Sequence, residues 1–139
     1  MDDRLATGIE GFDRLVQGGF PAHTVNLVAG PAGSGKSLFG LHFCYNGART
    51  FGEPAMYLVL EETKASLQRV MRTFGMAFED LERSERCLMI DLGELRLAGP
   101  EGTAIGFREL QDFLATSLKA ARVRRLVIDR ARADRARLE

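Results

Sequence analysis

Apolar residues along this chain keep two rhythms, near-continuous runs of five or six and stretches in which they recur every three or four positions. Thr24–Ala29, Ala55–Leu60, Cys87–Asp91 and Arg125–Asp129 are of the first kind, the pattern of short strands covered on both faces. Leu67, Val70, Met71 and Phe74 fall at i, i+3, i+4 and i+7, which predicts a helix capped by Thr63 and ended by Gly75. Phe107, Leu110, Leu114, Leu118 and Ala121 form one stripe, with Arg108, Glu109, Asp112 and Lys119 largely off it, so a second helix is expected from about Gly106 to Arg122. A third, crowded with Leu38, Phe39, Leu41, Phe43 and Cys44, is expected from near Lys36 to about Thr50, where Phe51-Gly52 closes it and Pro54 bars continuation. A short helical turn over Phe78–Leu81 is expected as well. Near the start, Ile9, Phe12 and Leu15 or Val16 share one face of a short helix that Gly18-Gly19-Phe20-Pro21 stops. Strand and helix alternate with crossovers long enough to hold helices, which predicts an α/β fold, a parallel sheet flanked by helices. Leu92–Thr103, with Gly93, Gly99, Pro100 and Gly102, is expected to be a mobile loop.

Composition narrows the partners. The 139 residues suffice for one core, and 19 basic against 19 acidic side chains leave no global attraction to nucleic acid or membrane. Seven arginines cluster between Arg122 and Arg137, but the tail 130–139 also holds acids and no aromatics, which argues against a base-stacking arm and for a solvated end. Cys44 and Cys87 have neither metal-ligand nor thioredoxin spacing and read as buried free thiols. No apolar run approaches the roughly 18 residues of a spanning helix, and the acidic, polar start is no signal peptide, so a cytoplasmic protein is expected. His23 reads as a turn residue and His42 as a core or interface histidine.

The candidate chemistry centres on Gly30-Pro31-Ala32-Gly33-Ser34-Gly35-Lys36-Ser37, which fits the phosphate-binding P-loop pattern at every specified position. Backbone N–H groups must turn inward around phosphate oxygens, so Gly30, Gly33 and Gly35 supply unusual dihedrals and close approach. Lys36 would set a positive charge on the β- and γ-phosphates, and the Ser37 hydroxyl would take one position on Mg²⁺. The helix beginning near Lys36 adds its positive end, which makes Gly30, Pro31, Ala32, Gly33, Ser34, Gly35, Lys36, Ser37 and Leu38 the expected nucleotide-binding residues. Arg125-Leu126-Val127-Ile128-Asp129 has the form of a Walker B strand, with Asp129 a candidate for holding Mg²⁺. A parallel sheet brings Ser37, Glu61, Glu62 and Asp129 to the carboxyl ends of its strands, where such sheets bind ligands. Glu62, with Glu61, could polarise an attacking water; alternatively the two acids favour the positive end of the next helix, and Asp129 caps one. Asp91 has the same placement without a motif and reads as structural.

These residues resemble the KaiC-like branch of the RecA-type ATPases over about Leu5 to Asp129. Thr7-Gly8-Ile9, Gly11-Phe12-Asp13 and Leu15, then Gly18-Gly19-Phe20-Pro21, look like that family's lead-in to its P-loop, and Tyr45-Asn46-Gly47-Ala48 like the helix after it. Glu61-Glu62-Thr63 is similar to its catalytic glutamate pair. The resemblance implies ATP and Mg²⁺ bound at the border between subunits, in a hexameric homo-oligomer whose neighbour supplies basic residues to the γ-phosphate. Those residues lie beyond the Walker B strand in the family, where this sequence has ten more positions, and Arg130 stands where the family usually has a small hydroxyl residue. The resemblance also puts the strand after Walker B between the Walker B and P-loop strands, so these two are expected to face each other across a gap. The resulting expectation is a partial RecA-like domain, incomplete at its C-terminus, over 1–129, followed by an unrelated Arg/Ala-rich tail over 130–139, the whole a truncated or frameshifted copy. Function is then Mg-dependent ATP binding and hydrolysis in an oligomeric regulator, with a non-catalytic nucleotide-binding module or an inactive fragment as the alternatives.

Overall fold

A computed structural model of the chain describes residues 3–92 and 106–130, apart from the side chain of Phe107. In chain order the elements are β1 (Arg4–Leu5), α1 (Phe12–Leu15), β2 (Phe20–Pro21), α2 (Lys36–Arg49), β3 (Ala55–Val59) and α3 (Lys64–Thr73). They continue as α4 (Phe78–Arg83), β4 (Cys87–Asp91), α5 (Phe107–Ala120) and β5 (Arg125–Asp129). β1 and β2 form a small antiparallel ribbon, and β4-β3-β5 form a parallel sheet in that order. Register is in step across the sheet: Val59 lies opposite both Asp91 and Asp129, so all three strands end at one rim.

Every residue of β3 is buried. Ala55, Tyr57 and Val59 face a cluster built from Leu41, Cys44 and Ala48 of α2, Leu67 and Met71 of α3, and Phe78 and Leu81 of α4. Met56 and Leu58 face the other way, toward Leu92 and the Leu110, Leu114 and Leu118 stripe of α5. Cover on both sides removes the polar alternation that a half-exposed strand would show. The Thr63 hydroxyl accepts from Ser66 N–H at 3.1 Å, capping α3 as its sequence predicts. Of the expected stripes, Ala121 follows α5 half-buried, the Phe107 side chain is not described, and the loop beyond Leu92 and the tail beyond Arg130 lie outside the described residues.

Two expectations are corrected, and a choice between two residues is settled. Thr24–Ala29 is not a strand: these residues join no ladder, and Val25 and Leu27 are 102% and 92% exposed. β5 bonds to β3 along one edge, no described residue pairs with its other edge, and Leu126 and Ile128, on the α5 side of the sheet by register, are exposed. An apolar run becomes a strand only where a neighbour takes up its N–H and C=O groups and a layer covers its side chains, and neither is met over 24–29. Of the alternatives Leu15 and Val16, it is Val16, four positions from Phe12, that is half-buried with it, while Leu15 is exposed. Phe74 lies past the end of α3, where the chain turns, and is 54% exposed, in a T-shaped contact with half-buried His42.

The segment before the P-loop is fastened to α2. Asp13 accepts from Thr7 N–H at 3.0 Å, Thr7 Oγ1 at 2.6 Å and Gly8 N–H at 3.0 Å, and Asn46 on α2 donates to Thr7 carbonyl at 3.1 Å. Burial alone would raise the Asp13 carboxyl, but the Thr7 and Gly8 hydrogen bonds outweigh it and hold the pKa below its ordinary value. Phe12 and Phe20 lie tilted against each other, and both make T-shaped ring contacts with Phe39 of α2. Beneath them Arg125, 1% exposed, donates to Ala6 carbonyl at 2.5 Å, Phe43 carbonyl at 3.1 Å and Glu53 at 3.1 Å. Its guanidinium also lies over the rings of Phe43 and Phe51, 4.7 and 5.2 Å from their centres.

The Arg125 stem runs directly under Gly47: a Cβ there would stand 2.4 Å from Arg125 Cδ, an atom pinned by the bonds of its own head group. Gly47→Ala therefore sets a helix-propensity gain of about 1 kcal/mol against an overpacking cost of about 1–3 kcal/mol, and the clash wins. Urea unfolding is expected to show net destabilisation; a more stable variant would refute this account of the Arg125 seat. For Asp13, a folded pKa below the ordinary 3.8 means that its stabilisation is complete above that value and is lost as pH falls through the lower folded one. Melting temperatures of wild type and Asp13→Asn should differ at neutral pH and converge on acidification below 3.8; a constant difference would show that the carboxylate bonds are not its source.

Candidate functional site

The P-loop leads directly into the first turn of α2. Gly33 and Gly35 have φ of 81° and 95°, the left-handed region that a side chain disfavours by about 1–2 kcal/mol. Gly30 lies close to the Ser34 side chain, since a Cβ there would stand 2.6 Å from Ser34 Oγ, which would have to turn aside. Gly35 caps α2 without a side-chain acceptor and no acid lies in the first turn, so the positive end of this 14-residue helix is not offset by its own side chains. Residues 30–35 are exposed. Lys36 curls back, its Nζ donating to Gly30 carbonyl and, at 3.5 Å, to Pro31 carbonyl.

One turn into the same motif, Ser37 Oγ donates to Asp129 Oδ2 at 2.8 Å. This bond joins two sequence motifs 92 residues apart. Asp129 is 7% exposed, and the same Oδ2 also accepts from the Tyr57 hydroxyl, which rises from β3 between them. Burial, then the hydrogen bond and charge of Asp129, push the Tyr57 phenol far above its ordinary range, so it stays protonated and remains a donor. Reading β3 as an apolar run missed Tyr57, although the single polar atom of a fully buried strand is a signal that it has a partner to meet.

Glu61 and Glu62 follow β3 immediately past the rim, both half-buried, where Leu60 N–H donates to Asp129 carbonyl at 3.1 Å. Asp91 ends β4 on the same rim. Ser37 and Asp129 are thus in direct contact, and Glu61 and Glu62 follow Leu60, the residue whose N–H bonds the Asp129 carbonyl. An anion-binding loop flanked by hydroxyl and carboxylate oxygens suits a phosphate ester with a hard divalent cation, which takes oxygen ligands from few side chains and keeps the rest from water and phosphate. Other candidates stay apart. His23 is exposed in a turn, and Cys44 and Cys87 are buried thiols that burial raises, Cys87 to about 12, which makes them poor nucleophiles. Among the described residues, no helix is long and apolar enough to cross a membrane.

Comparison with known proteins agrees with this geometry. A family model described as "ATPase: KaiC" matches residues 5–135. The chain is 36% identical over 88 residues to the circadian clock oscillator protein KaiC of Parasynechococcus marenigrum, covering 63% of this chain and 17% of that protein. It is 31% identical to a UPF0273 protein of Thermotoga maritima, covering 93% of this chain and 56% of that one. The crystal structure of a KaiC-like protein from Pyrococcus horikoshii superposes with a TM-score of 0.80 at 34% identity, covering 93% of this chain and 54% of the other. The chain therefore spans about half the length of the KaiC-like and UPF0273 relatives, and far less of KaiC itself. Its parallel, helix-flanked sheet is that of a RecA-like core, and the chain belongs to the KaiC family of ATPases.

Proposed function

We propose that this chain binds ATP with Mg²⁺ at the P-loop and takes part in its hydrolysis, as a domain of a cytoplasmic, ring-forming homo-oligomer. The observation that carries the reading is the 2.8 Å bond from Ser37 to Asp129, which joins the phosphate loop to an acid at the end of a buried strand. Gly30–Leu38 would wrap the phosphates, and Lys36 would exchange neutral carbonyls for phosphate oxygens, which are stronger acceptors. Ser37 and Asp129 offer the oxygens that a resident Mg²⁺ needs, and that ion would offset the charge of the reacting phosphate. Glu62, assisted by Glu61, would orient and polarise the attacking water from its place just past β3. Residues 1–129 would act as one nucleotide-binding unit, with 130–139 outside it.

A second reading, binding without turnover, is favoured by the far edge of β5, with which no described residue pairs, so that at this rim the described ties between loop and sheet are the contacts of Ser37 with Asp129 and Tyr57.

Thermal melting tests the first step. Mg-ATP at roughly 100-fold excess over Kd should stabilise the wild-type chain by about 2.7 kcal/mol, and Lys36→Ala should lose most of that shift. Absence of a shift in both would refute nucleotide binding by the chain. Phosphate release tests the second: Glu62→Gln is expected to lower turnover by roughly 10²–10⁴-fold while its melting shift survives. Binding without wild-type turnover would select the second reading.

A further inference from the structure

Tyr57 belongs to no motif, yet its hydroxyl is the second donor on the oxygen of Asp129 that Ser37 contacts. Its ring is clamped: Gly40 of α2 lies so close that a Cβ there would stand 3.2 Å from Tyr57 Cε2 and 3.0 Å from Val127 Cγ1. The residue is 1% exposed, and its oxygen also lies 3.4 Å from Ser37 carbonyl, so the phenol touches both partners of the bond joining loop and sheet. A carboxylate held on one oxygen by two fixed donors cannot rotate freely, and its other oxygen is thereby aimed. Ser37, in the first turn of α2, supplies one of these donors, and buried Tyr57 supplies the other.

We propose that Tyr57 is a positioning residue for Asp129. It holds the carboxylate in the orientation that a divalent cation beside the P-loop requires, and does so whether or not Ser37 turns toward that cation. The assignment rests on the Mg-ATP reading above. It goes beyond that reading in giving the buried strand β3 a part in cation affinity that is separate from nucleotide affinity.

The test is a Mg²⁺ titration of the melting shift at fixed ATP, in wild type and Tyr57→Phe, with the shift by ATP in excess EDTA measured alongside. Phenylalanine keeps the ring and removes only the donor. The Mg²⁺ midpoint is expected to rise about ten-fold, as loss of one hydrogen bond to a charged group implies, while the shift by Mg-free ATP stays the same. A role confined to packing would lower the melting temperature and leave the midpoint unmoved, and that result would overturn the assignment. A second readout does not depend on the Tyr57 variant folding. The chain has two tyrosines, Tyr45 and Tyr57, so ¹³C labelling at Cζ gives two signals, assigned with Tyr45→Phe. The Tyr57 signal should move when Mg-ATP replaces Mg-free ATP, and a stationary signal despite a Mg-dependent melting shift would also overturn the proposal. If wild type shows no shift with Mg-ATP, the nucleotide reading fails and the Tyr57 assignment with it; an equal midpoint in both chains removes only the latter.

Discussion

A guanidinium with no access to water needs partners from the protein, and Arg125, whose Nη atoms are bonded while its Nε is left without an acceptor, imposes that demand on three separate parts of the chain. An uncompensated buried charge costs several kcal/mol even after relaxation, so Ala6 carbonyl, Phe43 carbonyl and Glu53 must be present together. The lead-in segment, the middle of α2 and the turn before β3 are thereby fixed to the first residue of β5. Four residues on, on the same face of that strand, Asp129 takes the Ser37 hydroxyl at the start of α2. Helix and strand are thus fastened at two points, and the position of the phosphate loop relative to the acid follows from the depth at which the arginine is seated.

Much of this architecture is legible in the sequence because its strands are continuous apolar runs, the central one covered on both faces. β4 and β5 have the limits that their apolar runs mark, and α3 begins where Thr63 can cap it. Local pattern suffices there because the covering helices are themselves encoded nearby. Thr24–Ala29 fails for the same reason inverted: its composition is that of a buried strand, but strand character depends on a neighbour that composition cannot supply. Leu15 and Val16 both fit a helical spacing from Phe12, and periodicity does not choose between them.

The candidate site divides along a similar line. Gly30 to Leu38 and Asp129 stand out as candidates without coordinates because they fit motif patterns, and Glu61 and Glu62 because they follow an apolar strand and resemble the family's acid pair. Tyr57 and Arg125 cannot be, since each carries a polar head inside an apolar run and its partners come from elsewhere in the chain. Tyr57 reads as one more strand residue and Arg125 as the polar lead of a strand. Their roles arise from α2 lying over the sheet, a tertiary fact that distinguishes a buried donor from a surface one.

That helix has a weakness with a kinetic meaning. Gly40 and Gly47 stand inside α2 so that it can lie close to Tyr57, Val127 and Arg125, and each costs about 1 kcal/mol of helix propensity relative to alanine. A 14-residue helix so burdened cannot persist by itself in water, where even alanine-rich segments of that length are marginal. It exists because the sheet holds it. The N–H groups that form the phosphate cradle thus come into line when α2 docks, and the anion site and the hydrophobic core condense in the same folding step.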